Sequence, residues 1–204
     1  MKTFRKRDFP LSEIRRYLEP GPIVLVSSSW KDKTNIMTMG WHMMLQFTPA
    51  LVGCYIWDGN HSFEMIRRSK ECVINVPTTD LTEEVVRIGN SSGVEIDKFK
   101  TFGLTAVRAR RVRAPLIKEC YANFECRLAD DRLISKYGLF IWKVVKAHVA
   151  TSPKIPRDTS LSRRGCVHDL GPLVESAEAI QAGKPIAGCG GPPNKRLKLA
   201  ARVH

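Results

Sequence analysis

The segment Asn35–Trp41 alternates polar and sulfur-containing side chains along one predicted strand. Asn35 and Thr38 can form hydrogen bonds, whereas the thioethers of Met37 and Met39 are polarisable and pack well against rings. Because successive side chains of a strand point to opposite faces, one face can offer hydrogen bonds while the other packs. This pattern predicts one wall of a site for a flat heteroaromatic ligand.

A second group of candidate residues lies at the start of a predicted helix. An apolar strand ending at Trp57 runs into the segment Asp58–Ser62, and the helix that follows leaves backbone N–H groups unpaired at its first turn. Asn60 or Ser62 can donate a side-chain hydrogen bond at this point, and Lys98 can add a compact positive charge. The arrangement suits a phosphate group. The same residues are also explained if Asn60 or Ser62 simply caps the helix.

Motifs for several other chemistries are absent from the sequence. It contains no GxGxxG or GxxxxGK[ST] loop, no HExxH pair and no GxSxG nucleophile elbow. The five histidines lie far apart without the spacing of metal ligands, and the six cysteines form no CxxC pair. We therefore predict no catalytic side chain and no metal site, and we expect most cysteines to be reduced thiols in the core.

The net charge of +13 is concentrated at the two ends of the chain. Residues 1–16 carry a net charge of +4 and residues 184–204 a net charge of +5, so the central part is only mildly basic. Charged ends of this kind are usually solvated. They give no reason to assign a nucleic-acid function.

One internal cluster of positive charge remains. Arg108 and Arg110 lie on a predicted strand, Leu104–Val112, and would share one face, with Arg111 and Arg113 close by. No aromatic side chains interleave with them, as a platform for single-stranded nucleic acid requires. A solvated or subunit-facing strand is the preferred interpretation, and we expect no nucleic-acid partner. A non-catalytic basic module that binds nucleic acid is the alternative.

Strands dominate the rest of the chain, with short helices between them. A helix is predicted from Asp80 to near Gly89, since Asp80 and Glu83 match a capping box. Many antiparallel strands joined by short loops favour a closed barrel, because closure removes exposed sheet edges. The other predicted strands are Gly21–Trp30, Asn35–Trp41, Leu51–Trp57, Cys72–Val76, Tyr121–Leu128 and Leu139–Val149, and the other predicted helical segments are Leu11–Leu18, Ser62–Arg68, Lys98–Phe102 and Leu173–Ala182.

The length of 204 residues suits one domain with a full core. We divide the chain into a basic N-terminal segment, residues 1–19, a single domain, residues 20–183, and a basic tail, residues 184–204, which we expect to be disordered. No apolar run approaches the roughly 20 residues that span a bilayer, and the N-terminus lacks the apolar stretch of a signal peptide. A cytoplasmic protein without a membrane partner is therefore expected.

Taken together, these segments resemble the flavin reductase-like family of FMN-binding split barrels. The resemblance covers the chain from about Pro20 to Ala150, and the motifs occur in the family's order. They are Pro22–Ser28, Asn35–Trp41, Pro49, Asn60–Ser62 and Ile74–Pro77. The element Gly93-x-x-x-Asp97-Lys-Phe99 and the segment Ala114–Cys126 are similar to the flavoredoxin branch in particular.

The resemblance implies a mostly β fold with short helices: a six-stranded antiparallel FMN-binding split barrel that forms a homodimer, with FMN near the subunit interface. The residues that it places at the cofactor are Asn35, Met37, Thr38, Met39 and Trp41 along the isoalloxazine ring, and Asn60, Ser62 and Lys98 at the ribityl and phosphate oxygens. Asn75 would either lie near this pocket or merely end its strand.

The activity implied by the resemblance is that of an FMN-dependent oxidoreductase, either an NAD(P)H:flavin reductase or a flavoredoxin-type electron carrier. NAD(P)H is a candidate electron donor, and a redox partner protein or a monooxygenase is a candidate acceptor. A bound flavin carries the electron chemistry itself, so no dedicated acid or base is needed. A split barrel that uses haem or a deazaflavin is the alternative within the same fold.

Overall fold

Nine strands, four α-helices and one short 3₁₀ helix make up residues 23–151, the part of the chain that the computed structural model describes. The strands are β1 (Val24–Trp30), β2 (Lys33–Met39), β3 (His42–Gln46), β4 (Leu51–Tyr55), β5 (Glu71–Val76), β6 (Ala106–Val107), β7 (Leu116–Ile117), β8 (Ala122–Asp130) and β9 (Leu139–Val149). The helices are α1 (His61–Ser69), the 3₁₀ helix (Thr79–Leu81), α2 (Thr82–Gly89), α3 (Lys98–Thr101) and α4 (Ile134–Tyr137).

Seven of these strands form one antiparallel sheet in the order β2-β1-β5-β8-β9-β4-β3, and β6 pairs separately with β7. This sheet has one strand more than the six expected. The additional strand is β3, which pairs with β4. Its side chains do not alternate between buried and exposed, since Met43, Met44 and Leu45 are all exposed. Hydrophobic periodicity therefore gives no signal for it.

The main core is filled from one face of the other six strands. Met37 of β2 and Val52 of β4 belong to the same buried cluster, although β2 and β4 lie far apart in the pairing order. The sheet must therefore curl until its two ends approach each other. Phe140 and Trp142 of β9 stack within this core, with 5.6 Å between ring centroids, and both are fully buried. The expected mostly β, antiparallel architecture with short helices is confirmed.

A second buried cluster packs α2 and α3 against β1 and β2. Leu25 and Ile36 contribute from the strands, and Val85, Ile88 and Phe99 contribute from the helices. Burying apolar surface of this kind stabilises a fold by roughly 25 cal/mol for each Å² removed from water. As a result β2 is covered on both faces, although it lies at the edge of the sheet.

The helix predicted from Asp80 is present but begins later. Asp80 lies in the 3₁₀ helix, and α2 begins at Thr82 without a side-chain cap. The turn is held instead by the Thr82 hydroxyl, which donates to the Thr79 carbonyl at 2.7 Å. The predicted capping box is therefore wrong, whereas the predicted end of the helix at Gly89 is confirmed.

The strand predicted over Leu104–Val112 is wrong. Only Ala106–Val107 is a strand, and residues 108–113 form a loop, which we call the arginine loop. Its backbone is held by Glu125 of β8, whose carboxylate accepts hydrogen bonds from the N–H groups of Arg110, at 3.0 Å, and of Arg111. N–H groups that bond to a side chain are unavailable for a strand ladder.

Glu125 is fully buried, and hydrogen bonds compensate its charge. His148 Nε2 lies 2.7 Å from Oε1 of Glu125, in addition to the two backbone N–H donors of the arginine loop. Burial by itself raises the pKa of this carboxyl, but the hydrogen bonds from His148, Arg110 and Arg111 outweigh that effect, so the pKa lies below its ordinary value. The side chain is therefore ionised at neutral pH.

Some expectations concern parts of the chain outside residues 23–151. The helices predicted over Leu11–Leu18 and Leu173–Ala182, the two basic ends, and the domain boundaries at residues 19 and 183 lie there and stay predictions. Within residues 23–151, none of the helices has the length and hydropathy that a membrane crossing requires.

Replacing Glu125 with Gln is expected to lower the free energy of unfolding by about 2 kcal/mol, because a neutral amide cannot replace the charge-assisted hydrogen bonds. Since the pKa of Glu125 is depressed in the folded state, its stabilising effect is present at neutral pH and is lost as the pH falls through that lowered pKa. Urea unfolding of both proteins at pH 7 and at about pH 3 measures the effect, and the difference should shrink at the lower pH.

Glu64→Gln is the matched control. Its carboxylate is exposed on α1, where it pairs with Arg67 and Arg68. A change below about 0.5 kcal/mol is expected for it. Equal losses of unfolding free energy in the two variants would contradict the role of Glu125 in holding the backbone of the arginine loop.

Candidate functional site

A cleft of about 580 Å³ opens between the edge strand β2, the first turn of α1 and the segment that joins α2 to α3. Its lining residues are Asn35, Met37, Thr38, Met39, Gly40 and Trp41 from β2 and its end, Tyr55, Trp57, Gly59, Asn60, His61 and Ser62 around the start of α1, and Ile88, Gly89, Ser91, Ser92, Gly93 and Lys98 from the α2–α3 side. Eight of the nine residues predicted for the cofactor site thus line one cleft, and Asn75 is the exception.

The distribution of side chains between the two faces of β2 differs from the predicted one. Asn35, Met37 and Met39 lie on the face that meets the main core and α1. Thr38 lies on the other face, where its hydroxyl donates to the Val85 carbonyl of α2 at 2.6 Å. Both faces therefore carry a polar group, and the predicted separation into a polar face and a packing face is wrong. Residues from both faces reach the cleft because it runs along β2 itself.

A buried hydrogen bond joins β2 to α1 at the cleft. Asn35 Nδ2 donates to Ser62 Oγ at 2.9 Å, and both side chains are almost fully buried. Gly93 lies against the same amide, where a Cβ atom would clash with Asn35 Oδ1. A side chain at position 93 would therefore force the Asn35 amide to shift from its hydrogen bond with Ser62. Sequence reasoning noted Gly93 in a motif but assigned it no role, because the contact is made between distant segments.

The start of α1 is open toward the cleft. Asn60 is the N-cap residue, in an extended conformation, but its side chain makes no capping hydrogen bond. Ser62 is instead the acceptor for Asn35. The alternative explanation was that Asn60 or Ser62 caps the helix, and its first part, a side-chain cap by Asn60, is therefore wrong. Backbone N–H groups and the positive end of the helix dipole at such a position favour an anion.

Lys98 supplies a buried positive charge at the cleft. It is 5% exposed, and its Nζ donates to the Ile88 carbonyl at 2.8 Å. Burial lowers the pKa of Lys98 from 10.5 to about 8, because low-dielectric surroundings disfavour the charged form. Within residues 23–151, no carboxylate forms an ion pair with it. A buried cation that lines a cleft without a counter-charge fits an anionic ligand.

Asn75 lies in the packing between strands rather than in the cleft. It is fully buried, and its Nδ2 donates to the Leu25 carbonyl at 3.0 Å. Its Oδ1 accepts from the N–H of Ile117 at 3.1 Å and from Asn123 Nδ2 at 2.8 Å. Of the two roles left open for Asn75, the structural role is the one that its contacts support.

Aromatic side chains form the mouth of the cleft. The rings of Trp41 and Tyr55 lie with centroids 4.9 Å apart. Trp57 is 59% exposed and covers Gly59, where a Cβ atom would come within 2.6 Å of the indole. Sequence reasoning missed Tyr55, Trp57 and His61 as lining residues. Their position at the strand-to-helix connection was the only available signal.

The described part of the chain offers few groups suited to thiol or metal chemistry. The cysteines described there, Cys54, Cys72, Cys120 and Cys126, are buried and free. Burial raises the pKa of Cys120 to about 12 and that of Cys54 further still, so both stay protonated. No group of three His, Cys, Asp or Glu side chains within residues 23–151 is placed to hold a metal ion. The cleft instead offers hydrogen bonds, apolar surface and one cation.

Residues 15–166 match the family described as the flavin reductase like domain. An uncharacterized protein of Archaeoglobus fulgidus is 34% identical over 129 residues, which are 63% of this chain and 72% of that protein. The family match covers β1–β9 and the cleft between β2, α1 and α3.

Two solved structures have a similar fold. One is an FMN-binding domain of a flavin reductases-like enzyme from Shewanella baltica, with a TM-score of 0.60, 28% identity, and coverage of 68% of this chain and 74% of that chain. The other is the flavoredoxin of Desulfovibrio vulgaris (Miyazaki F), with a TM-score of 0.62, 22% identity, and coverage of 74% and 78%. These likenesses confirm the fold that the sequence motifs implied.

Proposed function

Because the chain belongs to the flavin reductase-like family, we propose that its cleft binds FMN and that the protein is an FMN-dependent oxidoreductase. Within this proposal the activity is either that of an NAD(P)H-dependent flavin reductase or that of a flavoredoxin-type electron carrier. Both structural relatives, an FMN-binding domain and a flavoredoxin, are flavin proteins by name, which supports the choice of cofactor.

Lys98 provides the observation that carries this proposal. A lysine held in the interior without a carboxylate partner costs stability, and the cost is offset when an anion binds beside it. The open first turn of α1 lies in the same cleft as Lys98. A phosphate is the ligand group that uses both features, since it is negatively charged and accepts several hydrogen bonds.

The residues assigned to the cofactor from the sequence, other than Asn75, all line the cleft, which supports the assignment. Asn60, Ser62 and Lys98 are assigned to the ribityl and phosphate oxygens, and the segment Asn35–Trp41 is assigned to the ring system. Asn35 and Ser62 already hold each other in place through their hydrogen bond. Their remaining hydrogen-bonding capacity is thus pre-oriented, which lowers the entropy that a ligand must lose to bind.

The chain's own residues then bind, orient and shield the cofactor. When bound, FMN supplies the transfer of electrons. The thioethers of Met37 and Met39 and the indole of Trp41 provide polarisable apolar surface against which a ring packs. Lys98 Nζ stays protonated below a pH of about 8 and balances negative charge at the buried end of the cleft. No general acid or base is assigned.

The donor and the acceptor follow from the two forms of the activity. NAD(P)H is the proposed donor for a reductase, whereas a redox partner protein or a monooxygenase is the proposed partner for a carrier. The mouth of the cleft, at Trp41, Tyr55 and Trp57, is the exposed approach to the bound ring. We also expect the protein to act in the cytoplasm.

The exposed face of β3 supports the proposed homodimer. Met43 and Met44 are 59% and 57% exposed, and Leu45 and Phe47 beside them are exposed as well. Contiguous apolar surface of this kind usually marks an interface. A second copy of the chain is the proposed partner, since β3 also leaves one backbone edge unpaired in the sheet order.

Purified full-length protein is expected to show flavin absorbance or to take up added FMN. Stopped-flow mixing with NADH and with NADPH then separates the two activities, because bleaching by either nucleotide indicates a reductase. Retained colour without bleaching indicates a carrier that another protein reduces. A haem or deazaflavin spectrum, or colourless protein that takes up no FMN, would refute the proposal.

Lys98→Met is expected to improve stability while weakening FMN binding. Lys98 is a buried charge without a carboxylate partner in the described part of the chain, so removing it should raise the free energy of unfolding of ligand-free protein by about 1 kcal/mol at pH 7. Losing a charge-assisted bond to phosphate should raise the Kd for FMN by about 10- to 100-fold. Urea unfolding and fluorescence titration with FMN measure the two effects.

The pH dependence gives an independent check on Lys98. In wild-type protein the affinity for FMN should fall as the pH rises above about 8, since Lys98 then loses its proton. The stability of ligand-free protein should rise between about 8 and 10.5, because the unfolded chain keeps a proton that the folded chain lacks. Lys98→Met should show neither trend, and Lys100→Met, at an exposed neighbour, should match wild type. Unchanged FMN affinity in Lys98→Met would remove Lys98 from the site.

Met44→Glu combined with Phe47→Glu is expected to convert a dimer into a monomer, because two charges cannot be buried without partners in an apolar interface. Sedimentation equilibrium of the full chain measures the mass. Tyr137→Glu, at another exposed apolar position on α4, is the control and should leave the mass unchanged. A wild-type protein that sediments as a monomer would contradict the homodimer.

A further inference from the structure

The arginine loop, residues 108–113, presents four exposed guanidinium groups on a fixed backbone. Arg108, Arg110, Arg111 and Arg113 are all exposed. The residues between them are buried: Ala109 and Val112 pack with Val73 of β5. The loop is therefore anchored by its small apolar side chains, while all four of its arginines stay exposed.

Carboxylates near the loop bind its backbone rather than its guanidinium groups. Glu125 accepts the N–H groups of Arg110 and Arg111, and Glu71 accepts the N–H of Arg113 at 2.7 Å. Two acidic side chains are thus used to fix the course of the loop. Burying a charge such as that of Glu125 is costly, so a loop held in this way is a built feature and not a random excursion.

Three further cations extend the surface onto the strands beneath the loop. Arg127 faces Lys143 across the β8–β9 ladder, and Lys146 faces Glu125. Arg127 Nη2 donates to the Arg111 carbonyl at 2.7 Å, which places this side chain directly beside the loop. We call the arginine loop together with Arg127, Lys143 and Lys146 the basic face.

No carboxylate within residues 23–151 forms an ion pair with any of these seven cations. By contrast, Arg67, Arg68 and Arg87 on the helices each pair with a glutamate. Like charges held close together repel one another and destabilise the folded chain. The basic face therefore carries a cost that a negatively charged partner would offset.

We propose that the basic face is a docking surface for an acidic protein, an inference that rests on the proposed function because an electron carrier must meet a protein partner. Four of its seven cations are the arginines of the arginine loop. Arginine forms two parallel hydrogen bonds with a carboxylate and is enriched at protein interfaces. No exposed aromatic side chain lies in the arginine loop or on β8 and β9, so the face lacks the stacking platform that single-stranded nucleic acid uses.

Binding of the FMN-loaded full chain to a small acidic iron–sulfur ferredoxin tests the proposal by isothermal titration calorimetry. Electrostatically guided complexes weaken when salt screens the charges. The Kd is expected to rise at least about tenfold between about 50 and 200 mM NaCl. Arg108→Glu combined with Arg110→Glu should raise the Kd at the lower salt concentration by at least about tenfold.

Arg67→Glu combined with Lys136→Glu is the matched control, since it changes the net charge equally on α1 and α4. This control variant should keep the Kd within about threefold of wild type. Its two substitutions lie outside the basic face, so they would weaken binding only if net charge alone attracted the partner. Neither pair lines the cleft. The flavin absorbance of each variant therefore reports separately on the proposed function.

Three results would overturn the docking surface. One is the absence of measurable ferredoxin binding at the lower salt concentration. Another is an equal loss of affinity in both charge-reversal pairs, which would indicate attraction by net charge alone. The third is a 20-base-pair DNA duplex that binds more tightly than ferredoxin at the same salt and depends on Arg108 and Arg110, which would assign the face to nucleic acid.

Discussion

The cleft depends on the position of β2 at the end of the sheet. Both faces of this strand are packed, one against the main core and α1 and the other against α2 and α3. When both faces of an edge strand are covered, the side of the strand that remains open is its unpaired backbone edge. The cleft follows β2, and α1 and α3 bring a helix start and a lysine to the same place. The open edge of the curled sheet therefore creates the cleft, and the individual motifs supply the side chains that line it.

Two buried charges, Glu125 on β8 and Lys98 on α3, show how differently a fold can stabilise an ion. Glu125 receives three hydrogen bonds from within the chain, and its pKa falls below the ordinary value. Lys98 Nζ donates one hydrogen bond to a backbone carbonyl, that of Ile88, and burial lowers the pKa of Lys98 to about 8. The first charge is satisfied and fixes a loop, whereas the second has no carboxylate partner within residues 23–151. This asymmetry distinguishes a structural ion from one that is available to a ligand.

Sequence reasoning found the parts of this molecule whose signal lies within one segment. Asn35 and Lys98 were predicted as candidate site residues because their side-chain chemistry is visible in short motifs. The predicted bounds of β9 were correct, because its length and apolar character are clear. The arginine loop was predicted to be a strand, because Glu125, which accepts hydrogen bonds from its N–H groups, lies on β8 and is distant in the sequence. Gly93 received no role for the same reason: its close neighbour, the amide of Asn35, is far away in the sequence. Contacts between distant segments decided each of these cases.

The apolar strand β3 also governs how the protein behaves in concentrated solution. Uncovered apolar edge strands are templates for indiscriminate pairing between chains. The net charge of +13 opposes this, because copies of the chain repel one another over about one Debye length. Added salt shortens that distance and leaves the apolar attraction intact. Ionic strength is therefore expected to shift the balance between dispersed protein and association through β3, the same strand that the proposed homodimer uses.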